Sequence, residues 1–277
     1  SGKARSGLRF MAFVDKFILG RVSGTSAVAV YGVGAQINSL VITFSTAISS
    51  VFAPRVNCIA AENSENRNQK FTELFTRVGR VQYLILMLIL SGFVVFGKFF
   101  ITDIYATQEY AQAYPVALLL VVPAFIPLIQ NLGIEIQRSV NKHKIRSLIY
   151  FMMALLNVFI SIPLAKEFGP IGSALGTAIG LIIANGIIMN IYYQKGIGMD
   201  MRYFWRNIVS LSKGMIIPTL FGCWIMRSIT FDNYILYLAM IILYSAIYGL
   251  SMWFLGMNNE EKALVIQPIQ KLIRRGR

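Results

Sequence analysis

The chain has 277 residues, of which 56% are hydrophobic and 14% charged, and its mean hydropathy is +0.61. A soluble domain is typically about 45–50% apolar and about 25% charged. This composition therefore excludes both an ordinary soluble enzyme and a disordered chain. The net charge of +14 is better explained by anionic lipid headgroups and basic cytoplasmic loops than by nucleic acid.

Seven apolar stretches reach the length of about 20 residues that a membrane helix needs. They cover residues 27–53, 79–101, 112–134, 147–166, 171–194, 208–228 and 233–256. A shorter apolar segment, Leu8–Leu19, precedes them. No alternation of period two persists, so the sequence predicts an all-α, polytopic membrane bundle of seven full helices plus a short N-terminal helix remnant.

The predicted spans divide the chain into two regions. Residues 1–256 form the transmembrane bundle, and residues 257–277 form a basic, amphipathic cytoplasmic tail. We expect a short helix in the tail, with Asn259 as its cap. Pro268 would interrupt this helix, which is suited to lie on the inner membrane face.

Lysine and arginine alternate in number from one connector to the next. From the N-terminus, and leaving out Lys16 inside the first segment, the counts are 3, 1, 5, 1, 4, 1, 4, 1 and 5. Basic residues concentrate in cytoplasmic loops. The pattern therefore predicts that both termini lie in the cytoplasm, and that the short first segment crosses the membrane or is the remnant of a crossing helix.

Charged residues inside apolar spans are costly and are functional candidates for that reason. Asp15 and Lys16 lie in the first segment; Asp15 is suited to a cation, a sugar hydroxyl or an ion pair with another helix. Glu135 and Arg138 are three residues apart and share a helix face. If that helix continues, Lys142 extends the row, which would suit a diphosphate headgroup. The alternative is a solvated helix end.

Uncharged polar residues also recur in the spans. Gln36, Asn131 and Asn157 are candidates to line a cavity that recognises sugars, although interhelical hydrogen bonds use the same residue types. Pro115, Pro123 and Pro127 fall in one span and predict a bent or broken helix. A row of small residues, Gly172, Gly176 and Gly180, predicts close helix packing.

Several chemical signatures are missing. The sequence contains no phosphate-binding G-x-x-x-x-G-K-[ST] loop, no G-x-S-x-G elbow and no H-E-x-x-H pair. Cys58 and Cys223 lie far apart, which argues against a disulfide framework or a zinc site, and we expect no metal. We therefore predict that the chain is not an enzyme.

Three motifs in order resemble one family. DKFILGR at residues 15–21 with GTSAVAVYG at 24–32 looks like the start of the second half of Wzx-type polysaccharide flippases, of the MATE-like (MOP) superfamily of exporters. QRSVNKHKIRS at 137–147 resembles their central cytoplasmic loop, and Asn157 with FGPIGSALGT at 168–177 resembles the following helix pair.

This resemblance implies a function and a setting. Such proteins flip lipid-linked oligosaccharides, for example O-antigen units on undecaprenyl diphosphate, across the bacterial inner membrane for cell-surface polysaccharide biosynthesis. Two helical bundles rock about a central cationic cavity, with no cofactor, driven by a proton or sodium gradient. The implied partners are the lipid-linked glycan, membrane lipids and polysaccharide-assembly proteins, with no nucleic acid.

The chain departs from the family pattern in length. It resembles only the C-terminal half, so the first bundle is missing and is itself an expected partner. Three alternatives stay open: a multidrug or metabolite exporter of the same superfamily, a membrane enzyme such as a glycan polymerase, and a truncated remnant that does not transport. The short outer connectors argue against the enzyme.

Overall fold

The chain folds into α-helices that pack side by side as a polytopic membrane bundle. The computed structural model describes residues 14–62, 65–231, 233–264, 266 and 267. Across these residues it is 91% helical, with no strand. The helices are α1 (residues 14–22), α2 (Gly24–Val51), α3 (Ala53–Ala61), α4 (Arg67–Phe99, extended by π-helical turns to Tyr105), α5 (Ala113–Ile129), α6 (Leu132–Ser139), α7 (residues 143–168), α8 (residues 170–197), α9 (Met201–Leu211), α10 (Ile216–Ser228), α11 (Tyr234–Ser251, extended to Gly256) and α12 (residues 259–264). The predicted fold class is confirmed.

The predicted number of seven membrane spans is not confirmed. Five helical stretches of the described chain are long and apolar enough to cross a membrane, or six if the pair α5–α6 is one span. α5 and α6 meet at 45°, just after Pro123 and Pro127, each of which lacks a backbone donor. The 55-residue stretch His143–Ile197 enters this count as one, although it contains a break at Gly169. The count of seven stays a prediction.

That long stretch folds back on itself at Gly169. Its φ of 58° and ψ of −132° are non-helical and are a conformation that glycine adopts at little cost. The Asn157 amide donates to Thr177 Oγ1 over 3.2 Å, and the Tyr150 hydroxyl donates to Asn185 Oδ1 over 2.9 Å. Residue numbers fall on α7 as they rise on α8, so the two helices form an antiparallel hairpin.

The glycine row lies at the seam of this hairpin. A Cβ on Gly172 would lie 1.9 Å from the Leu164 carbonyl oxygen, and one on Gly176 would lie 2.2 Å from Ser161 Oγ. Gly180 faces α7 in the same way. The small residues therefore permit α7 and α8 to approach closely, which brings the polar side chains between them into contact.

The C-terminal helix α12 is fixed to the bundle. Asn258, rather than the predicted Asn259, caps it: the Asn258 side chain accepts from the Glu261 N–H, and the Glu261 carboxylate accepts from the Asn258 N–H, both over 2.9 Å. This reciprocal pair is a capping box. Pro268 and the basic end of the predicted tail lie outside the described residues.

Candidate functional site

Asp15 is buried inside the bundle and is surrounded by hydrogen-bond donors. Its exposed fraction is 0%. The hydroxyls of Tyr31 and Thr177 each donate to Oδ2 over 2.6 Å, while the Ser173 hydroxyl and the Asn157 amide donate to Oδ1 over 3.0 and 3.4 Å. A charge removed from water is costly unless such bonds replace its hydration. No lysine, arginine or histidine lies within 4 Å of this carboxylate among the described residues.

Four helices supply this site. α1 brings Asp15 and α2 brings Tyr31, while α7 and α8 each bring two polar residues spaced four apart, so that each pair shares one helix face. On α7 the Ser161 hydroxyl donates to Asn157 Oδ1 over 2.6 Å. We call this set the Asp15 cluster; its members are Asp15, Tyr31, Asn157, Ser161, Ser173 and Thr177.

Sequence reasoning found only part of this cluster. It selected Asp15 and Asn157 as candidates, but it did not select Ser173 or Thr177, which lie beside the glycine row. Tyr31 and Ser161 were not selected. The available signal was the repeated spacing of four between polar residues in two consecutive apolar spans, 157 with 161 and 173 with 177.

The Asp15 cluster contains types of group that can bind a proton or a small cation. It offers one carboxylate together with hydroxyl and amide oxygens, which are ligands for hard cations. No group of three or more His, Cys, Asp or Glu side chains suited to a metal occurs in the described chain. With a single carboxylate, the cluster can hold a proton or one monovalent cation, the roles that intramembrane carboxylates often serve.

Lys16 and Gln36 lie on a different surface. Both are exposed, as are Ser39 and Thr43, which follow Gln36 on α2 at helical spacing. Lys16 Nζ lies 3.9 Å from where a Cβ on Gly32 would be, one turn before Gln36. We call Lys16, Gln36, Ser39 and Thr43 the α2 polar face. Exposed polar groups within a span are poorly suited to lipid contact, so this surface fits a wet passage or a polar protein partner.

Glu135 and Arg138 form an ion pair within α6. Arg138 Nη1 donates to Glu135 Oε1 over 2.9 Å, and both side chains are partly buried. The prediction that Lys142 continues this row is wrong, because α6 ends at Ser139 and Asn141 adopts a left-handed backbone conformation with φ of 57°. Lys142 instead donates to the carbonyl of Gly196.

Asn131 is buried rather than open to a cavity. Its amide donates to Ser45 Oγ over 3.0 Å and to Thr46 Oγ1 over 3.3 Å. Gln82 on α4 donates to Ser49 Oγ on the same stretch of α2 over 2.7 Å. These contacts connect the break between α5 and α6 to the inner side of α2, opposite the α2 polar face.

Comparison with known proteins gives two matches. The model of the MatE family matches residues 7–162, more than half of the chain. The chain is also 20% identical over 216 residues to a probable low-salt glycan biosynthesis flippase, Agl15, of Haloferax volcanii. That alignment covers 77% of this chain and 44% of the relative, so the chain spans less than half of the relative's length. No solved structure gives a significant match.

Proposed function

Because the chain belongs to the MatE family, whose members are transporters and not enzymes, we propose that it forms one bundle of a lipid-linked oligosaccharide flippase. The substrate is a glycan on undecaprenyl diphosphate that is moved across the bacterial inner membrane for surface polysaccharide synthesis. Both ends of the chain face the cytoplasm in this proposal.

The observation that carries the proposal is the α2 polar face. Gln36, Ser39 and Thr43 are exposed along α2, and the ammonium group of Lys16 lies near Gly32, one turn before Gln36. Amide and hydroxyl groups suit sugar hydroxyls, and an ammonium suits a phosphate. The similarity to a protein described as a glycan biosynthesis flippase supports the same substrate class.

A second bundle completes the passage in this proposal. The α2 polar face is one wall, and the chain corresponds to 44% of the flippase it resembles. The opposite wall is a further helical bundle, which packs against the rim of the α2 polar face. Glu135, Arg138 and Lys142 then lie at the cytoplasmic mouth, where Arg138 reaches substrate phosphate only by leaving Glu135.

The Asp15 cluster couples transport to a proton or sodium gradient. Tyr31 belongs to the cluster and lies on α2, the helix that also carries Gln36, Ser39 and Thr43. A cation that binds Asp15 competes for the carboxylate with Tyr31, Ser173 and Thr177. The hydrogen bonds between α1, α2 and the α7–α8 hairpin then change, which shifts the balance between inward-facing and outward-facing states.

The substrate and its route are tested by cysteine labelling of α2. In a background in which Cys58 and Cys223 are serine, Thr43→Cys places a thiol on the polar face, and Phe44→Cys places one on the exposed apolar side. A membrane-impermeant maleimide should react with Thr43→Cys and block the flipping of a fluorescent undecaprenyl-diphosphate oligosaccharide in proteoliposomes. Phe44→Cys should react slowly and keep transport.

Three results would overturn parts of this proposal. Equal reactivity at both positions would contradict a water-accessible α2 polar face. Complete labelling of Thr43→Cys with unchanged flipping would show that the substrate does not pass along this face. Cation flux that depends on a drug, with no glycan movement, would instead identify a multidrug exporter.

A further inference from the structure

Arg146, near the start of α7, is a recessed cation without an acidic partner. Among the described residues no carboxylate lies within 4 Å of its guanidinium. Nη1 donates to the Tyr193 hydroxyl and Nη2 to the Tyr150 hydroxyl, each over 3.1 Å. The guanidinium carbon also lies 5.1 Å from the centre of the Tyr150 ring. Both tyrosines hold the group in place without neutralising it.

The hydrogen-bonding capacity of Arg146 is far from satisfied. Guanidinium has five N–H donors, and the two tyrosines accept only one each. Nε–H is buried without a partner, and each terminal nitrogen keeps one further N–H. Arg80, by comparison, is paired with Glu261, and Arg138 with Glu135. A partly buried cation without a counter-ion is costly, so an anion at this position would stabilise the protein.

The surroundings of Arg146 are suited to the headgroup of a lipid. Lys142, Lys144 and Lys195 are exposed nearby, and between residues 136 and 199 the sole acidic residue is Glu167, at the opposite end of α7. Exposed apolar side chains lie close to Arg146 along both helices, namely Ile145, Leu148 and Ile191, at 45%, 60% and 51% exposure. Cations above an apolar helix surface match a phosphate above acyl chains.

We propose that Arg146, held by Tyr150 and Tyr193, binds the phosphate of a membrane lipid at one end of the α7–α8 hairpin. Arginine suits this ligand because its planar fork matches two phosphate oxygens. The phosphate belongs either to an anionic phospholipid or to a polyprenyl diphosphate. The site lies where α7 begins, beside Tyr193 near the end of α8. Binding of a polyprenyl diphosphate there rests on the proposed function, whereas binding of a phospholipid does not.

The test is lipid binding by native mass spectrometry of the purified protein in detergent. The probes are phosphatidylglycerol, undecaprenyl diphosphate and inorganic phosphate. Arg146→Gln should weaken binding of at least one lipid by about tenfold, because charge-assisted hydrogen bonds are lost. Lys144→Gln removes the same charge from the same segment and should leave affinity within about twofold.

A conservative variant separates binding from folding. Arg146→Lys keeps the charge and loses the fork, so it should bind several-fold more weakly while its thermal stability without added lipid stays close to that of the wild type. The phospholipid and the polyprenyl diphosphate are distinguished by which of them loses more affinity in the variants. Equal losses in Arg146→Gln and Lys144→Gln, wild-type affinity in Arg146→Lys, or competition by inorganic phosphate as strong as by lipid would overturn the proposal.

Discussion

Replacing Glu261 by glutamine tests a buried ion pair that holds helix α12 against the bundle. Glu261 accepts from Arg80 Nε over 2.5 Å and from Nη2 over 2.9 Å. Arg80 also donates to the Asn207 carbonyl over 2.7 Å and to Ser210 Oγ over 3.0 Å. Side-chain exposure is 6% for Arg80 and 5% for Glu261. One guanidinium therefore connects α4, α9 and α12.

The magnitude follows from this burial. Removing one partner of a buried ion pair costs about 3–5 kcal/mol, because the remaining charge has lost its compensation. Glutamine keeps one acceptor oxygen, so Glu261→Gln should cost about 3 kcal/mol, at the lower end of that range. At about 2–4 °C per kcal/mol for a chain of this size, the expected loss in Tm is about 6–12 °C.

The assay is thermal unfolding of the detergent-solubilised protein, followed by fluorescence-detected size exclusion. Glu260→Gln is the matched control: its carboxylate lies 3.6 Å from Arg77, its side chain is 67% exposed, and an exposed pair is worth at most about 1 kcal/mol. Replacing both Arg80 and Glu261 by methionine should restore part of the stability lost in Glu261→Met, since no unpaired charge remains. Equal losses in Glu260→Gln and Glu261→Gln would refute the reasoning.

Three further predictions concern packing, the Asp15 cluster and orientation. Gly172→Ala should destabilise the protein by about 1–3 kcal/mol, because its Cβ would lie 1.9 Å from a backbone oxygen. In the control Gly186→Ala the nearest atom is 3.7 Å away, so this variant should unfold at a temperature close to that of the wild type. Equal unfolding temperatures for the two variants would contradict close packing at the hairpin seam. Tyr31→Phe removes a 2.6 Å donor to Asp15 and should lower stability by about 1.5–3 kcal/mol, which thermal unfolding checks; an unchanged Tm would contradict this role. Cys58 is exposed. If the basic connector is cytoplasmic, Cys58 should react with an impermeant maleimide in inside-out vesicles and not in right-side-out vesicles. The reverse pattern would contradict the predicted orientation of the chain in the membrane.

Hydropathy and charge predicted the fold class and the polar residues that stand out within spans. Asp15 and Asn157 were found because polar groups within apolar helices are costly to bury and are therefore functional or structural candidates. Their partnership was not found, because they are 142 residues apart and no local pattern states which helices become neighbours. The same limit hides the contact between Arg80 and Glu261, which are 181 residues apart.

Local backbone conformation explains the corrected details. No Gly or Pro between Arg138 and Lys142 indicates the end of a helix. α6 nevertheless ends at Ser139, and Asn141 adopts a positive φ, which asparagine tolerates better than most residues. At the C-terminus, Asn258 and Asn259 are equally plausible caps by composition. Asn258 alone lies three residues before Glu261, the spacing of the capping box.

The most direct test of the proposed mechanism is gradient-driven transport by Asp15→Asn. The intact protein, reconstituted in proteoliposomes, is given labelled undecaprenyl-diphosphate oligosaccharide with and without a proton or sodium gradient. Asp103→Asn is the control, because Asp103 is an exposed carboxylate outside the Asp15 cluster. We predict that Asp15→Asn folds but no longer responds to either gradient, while Asp103→Asn responds as the wild type does. A full gradient response in Asp15→Asn would contradict cation coupling at this cluster.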